Sequence, residues 1–480
     1  MRKVLFIAGE GLPYVKTGGL ADVIGSLPKV LAQKGCDCRV VLPLYSQVIA
    51  DHYNELARLG TIYVRFGIAE QPATFYRGED NGVTYYFVEH QGFFERKNLY
   101  GYYDDGERFA FFQRAALDML SYLDWWPDII HSNDWQSGMI PLLARNVYGA
   151  DERYRNIKHV FTVHNLAFQG NFSRELLWSR LGIDDYFYNN GAVKFDEGIS
   201  FMKSALVFAD KITTVSPTYA REILTPGFGE RMNEVLRYRE GDLSGIVNGI
   251  DTDNWNPLTD RLLAKNYSVR NYVSGKRENK KKLQEMLGLE VRDDVMVVGL
   301  VSRLTGQKGV YLITSVMHEM MGRNLQFVVL GTGEEAAESA FRSMESTYHG
   351  RMVYYRGYNE DLAHMIYAGS DVFLMPSMFE PCGLSQMISQ RYGTLPLVRE
   401  TGGLSDTVIP FNEFTGEGNG FSFHGERGEN LMDTLDYVLR QYYDNAEGWR
   451  TLVKSAMKTD VSWDRSADAY LRLYNEMFGE

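Results

Sequence analysis

The chain has 480 residues, of which 45% are apolar and 23% charged, and its formal net charge is −12. This length exceeds what one hydrophobic core holds, so two or three domains are expected. The acidic balance disfavours nucleic acid or an anionic membrane as the main partner, because neutralising phosphates needs a basic field. A small anionic ligand stays compatible, since a few lysines and arginines in a cleft suffice locally.

Cysteine usage and hydropathy indicate the compartment. The three cysteines, Cys36, Cys38 and Cys382, have neither disulfide-framework nor zinc spacing, which favours reduced thiols. No apolar run approaches the roughly 18 residues of a membrane span, and the chain opens directly on a strand. We therefore expect a soluble, cytoplasmic protein. The aromatic content of 13%, with 31 tyrosines, fits carbohydrate binding without deciding for it.

Short apolar strands alternate with helical segments in the first half of the chain. The strands are predicted at residues 3–8, 38–42, 61–66, 84–88, 128–131, 158–163, 211–215 and 244–247. The helices are predicted at residues 20–34, 107–122, 136–147, 199–208 and 217–224. Several of these strands are nearly continuous apolar runs, which is typical of a parallel sheet covered on both faces.

A second, more regular alternation follows a connection at NGIDTDNWNP (248–257) and a charged helical run at 276–288. Its strands are predicted at residues 295–301, 326–330, 351–355, 371–375 and 395–398. Its helices are predicted at residues 309–321, 334–344, 359–368, 384–391 and 403–408, and the tail from about 428 is helical through 464–478. This pattern predicts a doubly wound sheet in each half.

The run TGGLxD occurs twice, as KTGGLADV at 16–23 and as ETGGLSDT at 400–407, each time after a short apolar run. Two glycines at a strand-to-helix turn let backbone approach a ligand closely, and the N–H groups at a helix start favour anions. The matched pair predicts two α/β domains that turn similar loops toward one cleft.

The first copy forms a cluster of Lys16 with Gly18, Gly19 and Asp22. Glycines and a cation at a helix start would suit a phosphate group. A tight turn with a solvated Lys16 fits the same residues equally well.

The loop SRLTGQKG (302–309) follows the apolar strand VMVVGLV and carries Arg303 and Lys308. These two cations could neutralise the charge that develops on a diphosphate leaving group. Isolated Arg and Lys are usually solvated, but two of them in a glycine-containing loop after a buried strand favour a functional role.

The loop MPSMFEPCGLSQ (375–386) also lies between an apolar strand and a helix. Glu380 stands in its turn, and the backbone N–H groups of Gly383, Leu384 and Ser385 fall in the first helical turn, as at an anion site. A solvated turn carboxylate is the alternative for Glu380. Its position between two glycine-rich turns favours function.

Polar groups also follow two strands of the first half, in HSNDWQSG (131–138) and TVHNLAFQG (162–170). His164 could hydrogen-bond a sugar or act as an acid or base, although a lone strand-end histidine is more often structural. Asp134 with Trp135 suggests a carboxylate beside a stacking ring, with the same alternative.

Metal and nicotinamide chemistry are disfavoured. These loops contain no HxxxH, CxxC or DxD pattern, and the chain has nine histidines in all. The GxGxxG motif is also missing, since GTGEEA (331–336) has only its first two glycines. We therefore expect neither a metal nor a cofactor.

Five motifs in order carry a resemblance: KTGGLADV, HNLAFQG, RLTGQKG, FEPCGLSQ and TGGLSDTV. Together they resemble the glycogen/starch synthase family of retaining glucosyltransferases over essentially the whole chain. The resemblance implies the GT-B architecture, which is two Rossmann-like doubly wound domains with an interdomain cleft. It implies an acceptor domain at 1–247, a nucleotide-sugar domain at 248–461, and a last helix at about 462–480 that crosses back onto the first domain.

The resemblance also implies roles in the second domain. Arg303 and Lys308 look like the pair that binds the ADP diphosphate and stabilises it as it departs. Glu380 resembles the carboxylate beside the donor glucose, and Cys382 through Ser385 line the same pocket. Family sequences often have Thr where this chain has Ser385, which keeps the hydroxyl. Tyr358 resembles the ring that stacks on adenine.

In the first domain, Lys16 and Gly19 resemble positions that line the nucleotide-sugar site, with Gly18 and Asp22 in the same loop. His164 looks like the residue that hydrogen-bonds the donor glucose near its 6-hydroxyl.

Three further positions follow from the same resemblance. Asp134 would lie near the acceptor end of the site. Asn248 would lie in the hinge, and Tyr100 would be an aromatic residue on the glucan side.

The implied reaction transfers glucose from ADP-glucose to the non-reducing 4-hydroxyl of an α-1,4-glucan such as glycogen, with retention of configuration. We expect a front-face displacement in which Arg303 and Lys308 offset the leaving charge and Glu380 orients the sugar. The alternatives are a GT-B transferase that uses UDP-glucose or a small acceptor, and a non-catalytic glucan-binding protein.

Overall fold

The computed structural model describes residues 1–479. The chain divides into two compact units, each with its own sheet. The first unit holds residues 1–248 together with the chain from Trp463 onward, and the second holds Gly249–Ser462.

Twelve strands are found in the described part of the first unit. They are β1 (Lys3–Ile7), β2 (Asp37–Pro43), β3 (Ala57–Phe66), β4 (Ala69–Asp80), β5 (Val83–Glu89), β6 (Ile129–Asn133), β7 (Lys158–Val163), β8 (Asn171–Phe172), β9 (Lys194–Phe195), β10 (Gly198–Ser200), β11 (Lys211–Thr214) and β12 (Leu243–Gly245). Nine of them form one sheet in the order β12-β11-β7-β6-β1-β2-β5-β4-β3, and β8, β10 and β9 form a small separate sheet.

The helices of this unit cover the large sheet. They are α1 (Gly19–Gln33), α2 (Ser46–His52), α3 (Gln91–Phe94), α4 (Asp105–Leu123), α5 (Ile140–Asn146), α6 (Glu152–Arg155), α7 (Tyr186–Asn189), α8 (Phe201–Phe208), α9 (Pro217–Glu222), α10 (Asn233–Tyr238) and, at the end of the chain, α19 (Trp463–Glu476). Residues Val4 to Ile7 of β1 have no solvent exposure, so the centre of the core lies on this strand.

One edge of the large sheet departs from the all-parallel expectation. Strand β4 was not among the predicted strands, and it pairs antiparallel with both β3 and β5. Its residues alternate between exposed and covered positions, as in a sheet with one solvated face, and so lack the continuous apolar run of a buried parallel strand. The prediction of a wholly parallel sheet is therefore wrong at this edge.

The last helix packs in the first unit. Tyr470 and Tyr474 of α19 are buried, and the Tyr474 hydroxyl lies 2.7 Å from Nδ1 of His131 on β6. The other ring nitrogen of His131 lies 2.5 Å from Oγ1 of Thr162 on β7. Side chains from two central strands and from the end of the chain thus share one buried hydrogen-bonded group.

The second unit contains a six-stranded parallel sheet. Its strands are β13 (Met296–Val301), β14 (Leu325–Gly331), β15 (Met352–Arg356), β16 (Val372–Met375), β17 (Leu395–Arg399) and β18 (Phe421–Phe423), in the order β15-β14-β13-β16-β17-β18. Its helices are α11 (Tyr272–Leu287), α12 (Val310–Met321), α13 (Glu335–Thr347), α14 (Glu360–Gly369), α15 (Ser385–Arg391), α16 (Gly402–Thr407), α17 (Gly428–Asp444) and α18 (Ala446–Lys458).

Both sheets reverse their strand order at one point. In the first unit the order runs outward from β1 and β6 in opposite directions, and in the second it does so from β13 and β16. Ligands of open α/β sheets bind at the carboxyl ends of the strands at such a point. A ligand-binding site is therefore expected at these two sheet edges.

Across residues 1–479, no helix combines the length and the apolar character that crossing a membrane requires.

Candidate active site

At the strand reversal of the first unit, a buried carboxylate holds the first TGGL loop. Glu10 follows β1, and its Oε2 accepts hydrogen bonds from the backbone N–H and the hydroxyl of Thr17 and from the N–H of Gly18 at 3.3 Å. Burial raises the pKa of Glu10 despite these hydrogen bonds. Glu10 was not predicted, because a carboxylate that follows a strand has the same sequence pattern whether it is solvated or bound to backbone.

The loop itself is open on its outer side. The Lys16 ammonium lies 2.7 Å from the Asp22 carboxylate, and the Lys16 side chain is 44% exposed. A Cβ placed on Gly19 would meet no atom within 4 Å, and one on Gly18 would meet only Oε1 of Glu10 at 3.5 Å. The structure therefore brings the four predicted residues of this cluster together around an accessible turn.

Asp134 follows β6 and lies beside the loop after β7. Its Oδ1 accepts a hydrogen bond from the backbone N–H of His164 at 2.7 Å. Burial raises the pKa of Asp134 to about 7 against the backbone hydrogen bonds that it receives. Asp134 also has a φ of 52°. This backbone conformation is strained for residues other than glycine, and such strain is typical of functional sites.

Hydrogen bonding settles the protonation of His164. Its Nε2 lies 3.0 Å from Oδ1 of Asn133, whose own amide nitrogen donates to the carbonyl of His131 at 3.0 Å. Because that Oδ1 can only accept, Nε2 of His164 carries the hydrogen and Nδ1 is an acceptor. Burial lowers the pKa of His164 to about 3, so the ring is neutral near pH 7.

Two aromatic residues lie near these strand ends. The ring of Trp135 is buried against Phe109 and Phe172, at 4.9 and 5.4 Å between centroids. The interpretation of Trp135 as a stacking ring for a ligand is therefore wrong, because the ring belongs to the core. Tyr100 lies beside β1, since a Cβ on Gly9 would lie 2.6 Å from its hydroxyl.

The second unit places an ion pair at its own strand reversal. Lys308 lies in the turn after β13, and its ammonium is 2.6 Å from Oε2 of Glu380, in the loop after β16. The same oxygen accepts a hydrogen bond from the Ser377 hydroxyl at 3.0 Å. Glu380 is 6% exposed, so the alternative of a solvated turn carboxylate is wrong. Arg303 extends from the same loop as Lys308 and is exposed.

The second TGGL loop supports the Glu380 loop from behind. The N–H of Gly403 donates to the carbonyl of Glu380 at 3.0 Å. A Cβ on Gly403 would lie 2.1 Å from the carbonyl oxygen of Cys382, and one on Gly402 would lie 2.0 Å from that of Glu380. The expectation that these glycines approach a ligand is therefore wrong for this copy: they approach protein backbone.

The rest of the predicted pocket continues from this loop. Cys382 is buried, Gly383 has a φ of 73°, and Leu384 precedes α15, which begins at Ser385. The amide nitrogen of Gln386 donates to the carbonyls of Cys382 and Gly383, both at 3.0 Å, and so fixes the turn.

Two other predicted residues lie outside the loops described above. Tyr358 is 71% exposed and follows β15, which is two strands away from β13. Adjacent strands lie about 4.8 Å apart. Tyr358 therefore lies at the same edge of the sheet as the loop after β13, about 10 Å from it. Asn248 ends the first unit and is buried.

A second buried carboxylate at this edge was missed. Glu338 accepts hydrogen bonds from the Thr332 hydroxyl at 2.6 Å, the Gly333 N–H at 2.9 Å and Nε of Arg356 at 2.6 Å. These hydrogen bonds, the one from Thr332 foremost, lower the pKa of Glu338 to about 2. Its sequence signal was GTGEEAAE after β14, which had been considered only as a dinucleotide motif.

In the described part of the chain, no three His, Cys, Asp or Glu side chains group together as metal ligands would.

Both units match known protein families. Residues 3–238 match the starch synthase catalytic domain, and residues 289–451 match the glycosyl transferases group 1 family. The catalytic domain of starch synthase IV from Arabidopsis thaliana, solved with ADP and acarbose, superimposes with a TM-score of 0.92 at 34% identity, covering 100% of both chains. A sucrose-phosphate synthase from Thermosynechococcus elongatus shares the fold, with a TM-score of 0.62 at 16% identity over 100% and 99% of the two chains.

These matches define a glycosyltransferase with the GT-B fold, as predicted. Curated relatives narrow the assignment. The glycogen synthase of Clostridium beijerinckii is 47% identical over 100% of both chains, and that of Clostridium perfringens is 48% identical over 99% of this chain and 98% of its own. The chain belongs to the glycogen and starch synthase family of glycosyltransferases. The predicted resemblance and the predicted enzyme class are thereby confirmed.

Proposed function

We propose that the protein is a retaining glucosyltransferase that moves glucose from ADP-glucose to the non-reducing end of an α-1,4-glucan. The observation that carries this proposal is the ion pair between Lys308 and the buried Glu380 at the strand reversal of the second sheet. The family membership of the whole chain supports it, as does the ADP in the Arabidopsis relative.

The donor diphosphate would bind at the loop after β13. Arg303 and Lys308 lie five residues apart there, and Lys308 is held in place by Glu380 and its short turn. Fixed cations stabilise charge as it develops, because they need no reorganisation during the reaction. As the bond between the anomeric carbon and the diphosphate breaks, the leaving charge would be offset by these two side chains.

The acceptor would attack from the face of the departing group. The oxygen of its 4-hydroxyl bonds to the anomeric carbon, and its proton passes to the departing diphosphate. The products are ADP and a glucan longer by one glucose, with configuration retained. The balance needs no external base, which fits a site where Glu380 is already engaged by Lys308 and Ser377.

Glu380 would orient the sugar and support positive charge at the anomeric centre without forming a bond to it. Its loop is held by Gly403 and its carboxylate by two donors, so the group is pre-organised. A glucosyl–Glu380 adduct, detected by mass spectrometry after rapid quenching, would contradict this role.

In the first unit, Asp134 and His164 would bind sugar hydroxyl groups. A neutral histidine with Nδ1 as an acceptor can receive a hydrogen bond from a hydroxyl, and it cannot act as a cationic acid. Lys16, Gly18, Gly19 and Asp22 would bind part of a nucleotide sugar, since the open side of that turn admits a ligand closely.

The test is incorporation of labelled glucose into a glucan primer, with ADP-glucose and UDP-glucose in parallel. We expect the higher kcat/KM with ADP-glucose, and no turnover without the primer. A preference for UDP-glucose, or for a small acceptor, would indicate a different GT-B transferase. Glucan binding without incorporation from either donor would indicate a non-catalytic glucan-binding protein.

A further inference from the structure

A cavity of about 490 Å³ lies in the second unit, at the edge of the sheet opposite the candidate active site. Its walls come from α11, α17 and α18 and from residues that precede two strands, Asp371 before β16 and Gly393 before β17. Because the strands are parallel, the Glu380 loop lies at the far, carboxyl end of β16. We call this space the amino-edge cavity. No role in the proposed transfer reaction falls on it.

The lining of the amino-edge cavity carries an excess of positive charge. Its four cations are Lys276, Arg277, Lys280 and Arg450, and its two acids are Asp293 and Asp371. Arg277 pairs with Asp293, and Lys280 pairs with Asp371 at 2.6 Å. Among these described lining residues, both carboxylates are therefore already engaged, and Lys276 and Arg450 have no acidic partner in the lining, in a chain whose net charge is −12.

Lys276 places one of these charges at the floor of the cavity. Its ammonium donates to Oγ1 of Thr394 at 2.6 Å and to the carbonyls of Ala368 at 3.0 Å and Tyr392 at 3.3 Å, all of which are neutral oxygens. Burial lowers the pKa of Lys276 to about 7. An anion in the cavity would relieve this unfavourable burial of charge, because an opposite charge favours the protonated ammonium.

Arg450 supplies hydrogen-bond donors for a ligand, whereas those of Lys276 are already used within the protein. It lies on α18, and its side chain is exposed at the cavity. Guanidinium groups present a planar fork of N–H donors and bind phosphate through two parallel hydrogen bonds. Since the charged donors outnumber the acceptors in this lining, a ligand must bring acceptor atoms and negative charge.

The remaining lining is apolar and aromatic. Tyr272, Tyr442 and Trp449 line the cavity together with Val453, and Trp449 is only partly buried. A volume of about 490 Å³ exceeds what an inorganic anion fills and falls in the range of small-molecule sites, roughly 300–1,000 Å³. The ligand should therefore carry a ring as well as an anionic group, and aromatic walls suit the C–H faces of a sugar.

We propose that the amino-edge cavity binds a sugar monophosphate, with its phosphate at Arg450 in the field of Lys276 and its ring against the aromatic wall.

Calorimetric titration of the whole protein with glucose 1-phosphate tests this proposal, with free glucose, inorganic phosphate and AMP as comparison probes. We expect glucose 1-phosphate to bind more tightly than the other three. The Arg450→Ala variant should weaken binding at least tenfold. Its matched control is Lys454→Ala, which removes an exposed cation from the same helix outside the lining and should leave the affinity unchanged.

The Lys308→Ala variant separates this cavity from the candidate active site. Binding of glucose 1-phosphate should be the same in that variant as in the natural protein. A loss of affinity in Lys308→Ala with none in Arg450→Ala would place the ligand at the active site and overturn the proposal.

The other outcomes are equally decisive. Equal affinity for inorganic phosphate would mean that the ring is not recognised, and tighter binding of AMP would exclude a sugar site. The absence of binding by all four probes would overturn the proposal as a whole. Arg450→Ala should unfold at the same temperature as Lys454→Ala, because its exposed side chain carries no core packing.

Discussion

The TGGLxD motif occurs at both candidate sites, but its glycines have different surroundings in the two units. In the first unit Gly19 is exposed and a Cβ there would meet nothing within 4 Å, whereas Gly402 and Gly403 of the second unit are buried against the backbone of Glu380 and Cys382. The first loop leaves space for an approaching ligand. The second loop packs closely against the backbone of its own unit. A repeated motif therefore shows that a tight turn recurs, and only the packing shows what the turn serves.

The electrostatics of the two sites differ in the same sense. In the first unit burial dominates, and it raises the pKa of Glu10 and raises that of Asp134 to about 7. In the second unit hydrogen bonds dominate at Glu338, whose pKa falls to about 2, and Glu380 is held by an ammonium and a hydroxyl. Burial thus favours the protonated carboxyl groups in the first unit, and hydrogen-bond donors favour the ionised carboxylate of Glu338 in the second.

The largest effect should come from breaking the ion pair of the second site. Lys308→Ala removes a fixed cation from the place where we propose that the leaving diphosphate develops charge. We expect kcat to fall about 10²–10³-fold, equivalent to about 3–4 kcal/mol of transition-state stabilisation. The measurement is steady-state incorporation of glucose, with circular dichroism to confirm the fold. A fall of less than about tenfold, about 1.4 kcal/mol, would remove Lys308 from the mechanism.

Gly403→Ala should show that the second turn is packed against backbone, in contrast to the open first turn. The added Cβ would lie 2.1 Å from the Cys382 carbonyl oxygen, so backbone must move and the Glu380 loop with it. We expect a loss of about 3 kcal/mol in the free energy of unfolding, the upper end of typical overpacking. Urea denaturation measures this loss. Unchanged stability would mean that the turn is as accommodating as the first one.

Asp134→Asn should sharpen the electrostatic contrast. Because the pKa of Asp134 is raised to about 7, the folded state holds a proton that the unfolded chain loses near pH 4. Its contribution to stability is therefore complete below about pH 4 and is lost as the pH rises to about 7.

Asparagine keeps the acceptor for the His164 N–H and removes this ionisation. We expect the stability of the variant relative to the natural protein to increase by about 3 kcal/mol from pH 5 to pH 8, because about two pH units lie between pH 5 and the raised pKa and each corresponds to about 1.4 kcal/mol. Urea midpoints of both proteins at the two pH values measure the difference. A constant difference would show that Asp134 ionises normally.

The smallest effect on the fold should come from Gly19→Ala, the counterpart of Gly403→Ala in the open turn. Its Cβ meets no atom within 4 Å, so we expect stability to change by less than about 0.5 kcal/mol. The KM for ADP-glucose should rise about tenfold with kcat nearly constant, because the methyl group occupies space proposed for the donor. An unchanged KM would show that the donor does not approach this turn.

Much of the fold could be predicted, because its strands are buried on both faces. β1 and β13 are nearly continuous apolar runs, and the structure places their bounds, and those of β7, within one residue of the prediction. β4 was not predicted because a strand with a solvated face mixes polar and apolar residues. The three residues of β18 are too few to form a pattern.

The loops that carry the candidate sites were found for the same reason, since each follows a recognisable strand. Which side chains meet could not be predicted. Lys308 and Glu380 are 72 residues apart, and their contact depends on β13 and β16 being neighbours in the sheet. Glu10 and Glu338 were missed because only the folded backbone shows that their carboxylates receive N–H groups.

The hydrogen bond between His131 and Tyr474 joins residues 343 positions apart and has a consequence during translation. Domains generally fold as units while the ribosome makes them, beginning with the one nearest the N-terminus. Here the first sheet packs with a helix that follows the whole second unit in the chain, so the ribosome has made all of the second unit before the first can close its core. A chain that stopped after the second unit but before Trp463 would therefore damage the unit that was made first.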